Sequence, residues 1–265
     1  SQGWTHAKLS GHQNERLLYD QIQDCTSINQ LRPGMAISNT EIGGLNEKNV
    51  PCIIGCTTKS KTDLAITWSD NLPTNISIKK SLAGQAYLIK TSRFIAGYEA
   101  HYNTSISTEV KEGLLLFFGE HSKTRDILAQ YPSDNEQEQN YQKRKSRLTW
   151  NTLSKYKNSV ANEMLSWISG NIGNIADFCF SKGLAKNSDA WADYLWCKNR
   201  LGEHEVDELF CIKDISQLCS EKSNLVIIGN RGGGTTIRLP FGFVQWHQGQ
   251  MQFHHCYNDI RGLFI

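Results

Sequence analysis

A carboxylate, a hydroxyl and an ammonium group occur at positions that two neighbouring strands would bring together. Asp63 opens the alternating run Asp63–Trp68, and Ser77 and Lys79 stand two residues apart in a second run, Asn75–Lys79. Because side chains alternate across a strand, Ser77 and Lys79 face the same side. A carboxylate can hold a divalent metal that activates water at a phosphodiester, and a lysine can orient that water or stabilise the developing charge. A solvated sheet face without chemistry stays open as the alternative.

Local patterns place these residues on a hairpin that follows a helix. The segment Ser69–Asn71 has turn chemistry and Pro73 lies beyond it, so the two runs are predicted to pair. Residues 12–24 carry apolar side chains at helical spacing, which predicts an amphipathic helix ahead of the hairpin. Asn49–Thr57 is predicted to be extended, and Ser81–Ile89 opens a further element.

The remaining elements form a block of helices followed by a block of strands. Apolar spacing predicts helices in the middle of the chain: Thr108–Phe118, Trp150–Ile168, Ile172–Phe180 and Ala190–Lys198. Extended runs return at the end: Leu225–Ile228, Thr235–Leu239, Phe243–His247 and Met251–His254. This order predicts a mixed α+β (α/β) fold rather than a doubly wound one. We expect one domain over residues 1–265, with a core at roughly 10–130, a helical middle at 131–200 and C-terminal strands at 220–265.

Composition bounds the class of protein. The 265 residues carry 28 Lys and Arg against 26 Asp and Glu, so a nucleic-acid enzyme would need locally clustered positive charge. Hydrophobic residues make up 39%, which excludes disordered and collagen-like classes. No apolar stretch reaches the length of about 18 residues that a membrane span needs. The eight cysteines form no CxxC pair and fit no common zinc template, so we expect reduced thiols in a cytoplasmic protein.

Several segments resemble one nuclease family. KTDLAI…ISIKKS resembles the active-site stretch of PD-(D/E)xK nucleases, in particular the short-site type II restriction endonucleases of the MspI and HinP types. Three longer segments resemble the family's N-terminal helix, helical middle and C-terminal strands: GHQNERLLYDQIQD, NEMLSWISGNIGNIADFCFSKG and GNRGGGTTIRLPFGFVQWHQGQMQFHH. Together the pieces cover about half the chain in the expected order. The resemblance implies a central mixed sheet flanked by helices.

The resemblance also implies roles for individual residues. Asp63 matches the metal-binding aspartate and Lys79 the catalytic lysine, with Mg²⁺ as the cofactor. Ser77 departs from the pattern, because the family has Glu or Asp there and these two subgroups have Asn or Gln. The second metal ligand is therefore open among Ser77, the carbonyl of Ile78 and another carboxylate, for which Glu15 on the first helix is the candidate. A solvated helix position is the alternative for Glu15.

Polar residues elsewhere are candidates for DNA contacts. After the catalytic strand, the resemblance implies DNA contacts for Lys80, Ser81, Gln85, Lys90 and Arg93, and an exposed helix or strand face is the alternative. Lys143 and Arg144 begin the densest basic run, which continues through Lys145 to Arg147 and suits either phosphate contact or a solvated face. Arg231 and Thr235 belong to a glycine-rich loop that either contacts DNA or only turns between strands. Gln245 and His247 open an amide-rich end that could read bases, together with Gln248, Gln250 and Gln252.

These observations predict a type II site-specific deoxyribonuclease. The expected reaction is Mg²⁺-dependent hydrolysis of double-stranded DNA at a short recognition sequence, leaving 5′-phosphate ends. The resemblance implies a cognate DNA methyltransferase as a companion and a bacterial-type cytosol, and it leaves monomer and homodimer open. The alternatives are a repair or nicking enzyme of the same fold, a non-catalytic DNA-binding protein whose site has decayed at Ser77, and a structural or partner-binding protein.

Overall fold

The computed structural model describes residues 2–43, 49–133, 135–136, 138–140 and 147–265, with side chains from residue 10 onward. The chain divides into two compact units. Unit 1 comprises Ser1–Leu82 and Ala176–Ile215, and unit 2 comprises Ala83–Ile175 and Ser216–Ile265. Each unit contains a five-stranded sheet, and helices and strands together confirm the mixed α+β class. The expectation of one domain over the whole chain stays a prediction.

The bounds of the elements follow in chain order. The helices are α1 (Gln2–Asp20), α2 (Thr26–Leu31), α3 (Thr91–Tyr102), α4 (Thr108–Phe117), α5 (Thr124–Gln130), α6 (Trp150–Gly170), α7 (Ile172–Asp177), α8 (Ile212–Glu221) and α9 (Tyr257–Leu263). The strands are β1 (Ile37–Ile42), β2 (Asn49–Pro51), β3 (Thr57–Lys59), β4 (Leu64–Trp68), β5 (Pro73–Lys79), β6 (Ala83–Ile89), β7 (Tyr194–Lys198), β8 (Asp207–Cys211), β9 (Ile227–Ile228), β10 (Thr236–Leu239), β11 (Gly242–His247) and β12 (Gln250–Cys256). Within the described part of the chain, no helix combines the length and apolarity needed to cross a membrane.

The sheet of unit 1 is mixed. Its strand order is β1-β4-β5-β7-β8, in which β5 and β7 run parallel and every other pair is antiparallel. The predicted hairpin of β4 and β5 is confirmed, with Leu64 opposite Ile76. A separate two-stranded hairpin, β2 with β3, replaces the single extended run expected over Asn49–Thr57.

Alternation along β4 and β5 builds the core of unit 1. Leu64, Ile66 and Trp68 on β4 and Ile76 and Ile78 on β5 are buried on one face. The segment from α1 to α2 covers that face with four buried side chains: Leu18 on α1, Ile22 and Cys25 between the two helices, and Ile28 on α2. Apolar burial of this kind contributes about 25 cal/mol per Å² of surface removed from water. The opposite face of the same strands is therefore left to Asp63, Ser77 and Lys79.

The expectation of a helix over Ala190–Lys198 is wrong. Ser188–Ala190 forms a single 3-10 turn, and Tyr194–Lys198 is strand β7, paired on both sides by β5 and β8. Leu195, Trp196 and Cys197 are all fully buried, so this strand shows a continuous apolar run instead of alternation. A short run of that kind fits a buried strand and a buried helix equally well.

The sheet of unit 2 is antiparallel throughout. Its order is β6-β12-β11-β10-β9, and the C-terminal strands expected from the sequence are confirmed with small shifts at their ends. One face of β12 is buried, and there the ring of Phe253 lies 5.7 Å from that of Phe94 on α3. The predicted helices over Thr108–Phe118 and Trp150–Ile168 are confirmed as α4 and α6.

Candidate active site

Asp63, Ser77 and Lys79 lie together in unit 1. The Asp63 Oδ2 atom accepts hydrogen bonds from the Ser77 hydroxyl at 3.2 Å and from the backbone N–H of Ile78 at 2.7 Å. Lys79 Nζ donates to Ser77 Oγ at 3.3 Å. The structure thus links the carboxylate, hydroxyl and ammonium that the sequence placed on one face, in a continuous hydrogen-bonded chain.

Backbone and side-chain bonds fix the segment that carries Asp63. The Asp63 N–H donates to the carbonyl of Ile76 at 2.9 Å, which continues the pairing of β4 and β5 by one residue. Ser60 and Thr62 donate through their hydroxyls to the carbonyls of Ala190 and Trp191, at 2.9 and 3.2 Å. The carboxylate therefore comes from a segment that is held on both sides of its own residue.

Lys79 lies beside a neutral thiol. It is opposite Cys197 in the parallel pair of β5 and β7, and Cys197 is fully buried. Burial raises the pKa of the Cys197 thiol to about 12, and the charge of Lys79 offsets only part of that rise. The thiol stays protonated at neutral pH, so the lysine charge is not cancelled from this side.

Glu15 on α1 is electrostatically coupled to the same residues. Burial, followed by the negative charge of Asp63, raises the pKa of the Glu15 carboxyl to about 8, and Lys79 opposes the shift. The side chain is 14% exposed, and its Oε2 atom accepts no hydrogen bond from any described residue. His12 Nδ1 is 3.5 Å from that oxygen, outside hydrogen-bond geometry. A half-buried carboxyl with an unsatisfied oxygen is the group that a cation would stabilise.

Asn14 fixes the turn of α1 that carries Glu15, and sequence reasoning missed it. Its side chain is fully buried, donates to the carbonyl of Lys198 at 3.0 Å and accepts from the N–H of Arg200 at 2.7 Å. Lys198 is the last residue of β7, and Arg200 lies two residues beyond it. In the sequence, Asn14 is marked only by its position next to Glu15. A polar residue on a helix is common, so that position alone does not indicate a buried anchor.

Lys61 is a second lysine near the cluster that sequence reasoning left without a role. Burial, followed by the positive charge of Lys79, lowers the pKa of the Lys61 ammonium to about 7, while Cys179 and Asp63 oppose the shift. Lys61 therefore lies close enough to Lys79 and Asp63 for their charges to alter its pKa.

We define the acid–lysine cluster as Glu15, Asp63, Ser77 and Lys79.

Two of the DNA-contact candidates lie directly after Lys79. Lys80 forms an ion pair with Glu203 at 2.8 Å, and its carbonyl is 2.9 Å from His204 Nε2. Ser81 is half-buried. The ammonium of Lys80 already has an anionic partner, so a DNA phosphate would have to compete with Glu203.

The other candidates divide by exposure. Gln85, Lys90, Arg93 and Arg231 are exposed, whereas Thr235, Gln245 and His247 are half-buried. Lys143 and Arg144 lie outside the described residues. Arg147, at the end of the same basic run, is buried: its Nη2 donates to the carbonyl of Thr235 at 3.1 Å and its guanidinium stacks on Phe117. For Arg147 both expectations, a solvated face and a phosphate contact, are wrong. Its guanidinium is buried inside unit 2, where Thr235 and Phe117 are its partners.

Carboxylates near a possible metal are few. Among the described residues, no group of three or more His, Cys, Asp or Glu side chains is placed to hold a metal ion. Glu15 and Asp63 therefore provide at most two protein carboxylates, and any further ligands would be backbone oxygen, hydroxyl, water or substrate.

Comparisons with known proteins include a likeness to a solved structure. No protein-family model matches the chain, and no curated protein matches it. Among solved structures, the chain is similar to a crystal structure of the restriction endonuclease MspI in complex with its cognate DNA. The two share 12% sequence identity with a TM-score of 0.44, over 82% of this chain and 69% of that chain. At that TM-score the likeness carries no argument about residue roles. Those roles are argued from the geometry of the acid–lysine cluster alone.

Proposed function

We propose that the chain is a Mg²⁺-dependent endonuclease of the PD-(D/E)xK type that cuts double-stranded DNA at a short recognition sequence. One observation carries the proposal: the Asp63 carboxylate, the Ser77 hydroxyl and the Lys79 ammonium form one hydrogen-bonded chain, with Glu15 coupled to it electrostatically. Phosphodiester hydrolysis needs a carboxylate to hold a cation and a fixed positive charge near the attacked phosphate.

The available oxygen atoms fit a magnesium ion. Mg²⁺ is usually bound through one or two carboxylates and completes its shell with waters and substrate phosphate. Glu15 Oε2 has no hydrogen-bond partner among the described residues, and the bonds from Ser77 and Ile78 both fall on Asp63 Oδ2, which leaves Oδ1 available to an ion. The N–H of Ile78 is directed at Asp63, and the N–H and C=O of one strand residue point to the same side, which supports the Ile78 carbonyl as a third ligand. When bound, the ion would neutralise phosphate charge and lower the pKa of a water.

Each side chain of the cluster then has a distinct task. Asp63 holds the ion and is itself kept in place by the Ile78 N–H. Lys79 orients the attacking water or stabilises the charge that develops on the phosphate. Ser77 bridges these two groups and fixes the lysine relative to the carboxylate.

Binding to DNA would depend on local charge. The net charge of +2 gives little general attraction, so phosphate contacts would come from individual residues, such as Lys80 in unit 1 and Lys90 and Arg93 in unit 2. Each phosphate contact releases counterions, and the affinity should therefore fall steeply between about 50 and 200 mM salt. An affinity that stays flat over this range, measured by fluorescence anisotropy with a labelled duplex, contradicts these contacts.

The deciding experiment is digestion of a plasmid of known sequence by the full chain. With Mg²⁺ we expect discrete fragments whose mapped ends share a short sequence and carry 5′-phosphates, and with EDTA we expect intact plasmid. Nicks at scattered positions would point to the repair or nicking alternative. A complete lack of cleavage over a range of Mg²⁺ and Mn²⁺ concentrations contradicts the proposal.

A non-catalytic DNA-binding protein is the second candidate, because Ser77 stands where the resembling enzymes carry a stronger metal ligand. A hydroxyl contributes less to a metal than a carboxylate or amide oxygen does. Such a protein would bind the same duplex equally well with Mg²⁺ and with EDTA and would cut in neither condition. The endonuclease instead should bind its site more tightly when Mg²⁺ is present, since phosphate and protein share the ion.

A further inference from the structure

The hairpin of β11 and β12 in unit 2 presents a polar ribbon. Its two-residue turn, Gln248–Gly249, has positive φ at both positions, 50° and 75°, which is the geometry of a tight type I′ turn. Burial alternates strictly along β12: Met251, Phe253 and His255 are buried, and the residues between them are not. Gln250, Gln252 and His254 therefore share the other face with their cross-strand partners His247, Gln245 and Phe243.

Three amides on this face bond to one another across three strands. Gln245 Nε2 donates to Gln252 Oε1 at 3.0 Å, and Gln252 Nε2 donates to Gln85 Oε1 on β6 at 3.0 Å. We call these residues the amide ladder (Gln245, Gln252 and Gln85). Since adjacent strands lie about 4.8 Å apart, the ladder spans about 10 Å, comparable to the width of the major groove of B-DNA, about 12 Å.

His254 helps to decide which end of the ladder donates hydrogen bonds and which end accepts them. Gln245 Nε2 also lies 3.4 Å from His254 Nε2, and the imidazole stacks on Phe243 with centroids 4.4 Å apart and planes 9° apart. Burial and nearby His247 lower the pKa of His254, which favours the neutral imidazole. Because an amide nitrogen can only donate, the bond from Gln245 requires the tautomer in which His254 Nε2 is the acceptor. A primary amide has only two N–H donors, and Gln245 directs both within the sheet.

The free groups of the ladder consequently differ from end to end. Within the described part of the chain, the side-chain carbonyl of Gln245 and both N–H groups of Gln85 are left to offer, and Gln85 is exposed to solvent. One end accepts and the other donates. Base edges present both donors and acceptors, but a phosphate presents acceptors alone, so this arrangement suits bases rather than backbone.

The surroundings of the ladder favour a polyanion. The five strands of this sheet contain no Asp or Glu. A concavity of about 530 Å³ joins Gln245 and His254 to two exposed arginines, Arg231 and Arg238, with Asp259 of α9 as the one carboxylate on its lining. Neutral amides with two arginines on the β10 side of Gln245 match a duplex in which phosphates lie beside the base edges.

We propose that the polar face of the β11–β12 hairpin reads base edges in the major groove of double-stranded DNA through the amide ladder. The Gln245 carbonyl accepts from an exocyclic amino group of cytosine or adenine, and the Gln85 amide donates to the N7 or O6 acceptors of a purine. Gln252 positions both. The inference takes its ligand from the proposed function but does not require that the chain cuts DNA. A two-stranded ribbon fits the major groove of B-DNA, whereas that of A-form RNA is too narrow.

The test uses the full chain as the Asp63→Asn variant, so that binding is measured without cleavage. Selection from a randomised duplex pool should return a consensus sequence. Adding Gln252→Met, which keeps the side-chain length and removes the amide, should lower the ratio of consensus to scrambled binding by about ten- to a hundredfold. Scrambled binding should change by less than about twofold, since phosphate contacts are untouched. Gln217→Met on α8 is the matched control, because its exposed amide bonds to Glu221 within the same helix.

Modified bases then test the direction of the ladder. N4-methylcytosine or N6-methyladenine in the consensus should weaken binding by the parent protein but not by its Gln245→Ala variant. A 7-deazapurine should weaken binding by the parent but not by Gln85→Ala, which alters an exposed residue and leaves the sheet intact. A consensus ratio unchanged in both Gln252→Met and Gln85→Ala overturns the inference, as does selection of RNA or of no consensus at all. Site-selective binding without any cleavage by the wild type would instead overturn the proposed endonuclease and leave base reading in place.

Discussion

The sheets of the two units use the same alternation of side chains for opposite kinds of surface. In unit 1, β5 buries Ile76 and Ile78 on one face and sets Ser77 and Lys79 on the other, next to the charged Asp63. In unit 2, β12 buries Met251 and Phe253 and presents neutral amides and an imidazole. The first surface concentrates charges, and the second contains hydrogen-bonding groups without a carboxylate on any strand.

The difference follows from what each surface is proposed to do. Stabilising a charged transition state requires fixed charges in a partly dry site, where electrostatic interactions are strong. Distinguishing bases requires donors and acceptors whose directions are fixed. A wrong base then leaves a hydrogen-bonding group of the protein unpaired, and this lowers the binding affinity. Changes in the acid–lysine cluster should therefore alter the rate of cleavage, and changes in the amide ladder should alter the choice of site.

The largest effect is expected for Asp63→Asn and Lys79→Ala. Each removes a charge aimed at the reacting phosphate or its cation, so single-turnover cleavage at saturating Mg²⁺ should fall by about a thousandfold. DNA binding should change little. Asp126→Asn and Lys186→Ala remove exposed charges and should cut like the wild type. A rate within about tenfold of wild type for Asp63→Asn, a barrier change of about 1.4 kcal/mol, rules out its role.

The next effect concerns Glu15→Gln. The variant keeps the shape of the side chain but removes the second carboxylate, so we expect the Mg²⁺ concentration for half-maximal cleavage to rise by about ten- to a hundredfold. Glu163→Gln, at an exposed position of α6, is the control. An unchanged Mg²⁺ dependence would mean that Glu15 is a half-buried helix residue with no part in metal binding. The charges that accelerate cleavage would then be those of Asp63 and Lys79 alone.

A smaller effect, on stability instead of rate, is expected for Asp207→Asn. Although burial opposes it, donation from Ser27, Trp196 and Lys198 holds the pKa of Asp207 below its ordinary value. A lowered pKa in the folded state means that this carboxylate stabilises the fold at neutral pH and loses that contribution as the pH falls through its folded pKa. Urea unfolding should show a loss of about 1–2 kcal/mol at pH 7.

The same measurement near pH 3 should show variant and wild type converging, because the carboxylate of the wild type is then increasingly protonated. Cleavage by the folded variant at low temperature should be close to normal, since Asp207 lies outside the acid–lysine cluster. A stability difference that is the same at both pH values would assign the effect to packing rather than to charge.

The smallest effect is expected for Ser77→Ala. The hydroxyl donates to the Asp63 carboxylate and accepts from the Lys79 ammonium, and the net contribution of a typical hydrogen bond is about 0.5–1.5 kcal/mol. Single-turnover cleavage should fall by about three- to tenfold. Loss as complete as that of Lys79→Ala would show that the hydroxyl is a direct ligand or a nucleophile, and the cluster would need a different mechanism.

Local pattern determined much of this protein. The alternation over Asp63–Trp68 and Asn75–Lys79 predicted the β4–β5 hairpin and set Ser77 and Lys79 on one face, since one buried face imposes a period of two residues. The same reasoning found the C-terminal strands and the helices α4 and α6. These features depend only on residues close together in the chain, so the sequence contains them directly.

Tertiary structure decided what depends on distant segments. The run Leu195–Cys197 became a strand because β5 and β8 pair with it from both sides, which no local pattern records. Asn14 anchors α1 through Lys198 and Arg200, and Leu18 packs α1 against the core, and these long-range contacts place Glu15 within electrostatic reach of Asp63. The raised pKa of Glu15 and the direction of the amide ladder likewise arise from burial and from partners on other elements. Charge and hydrogen-bond direction depend on surroundings that form only when the chain has folded.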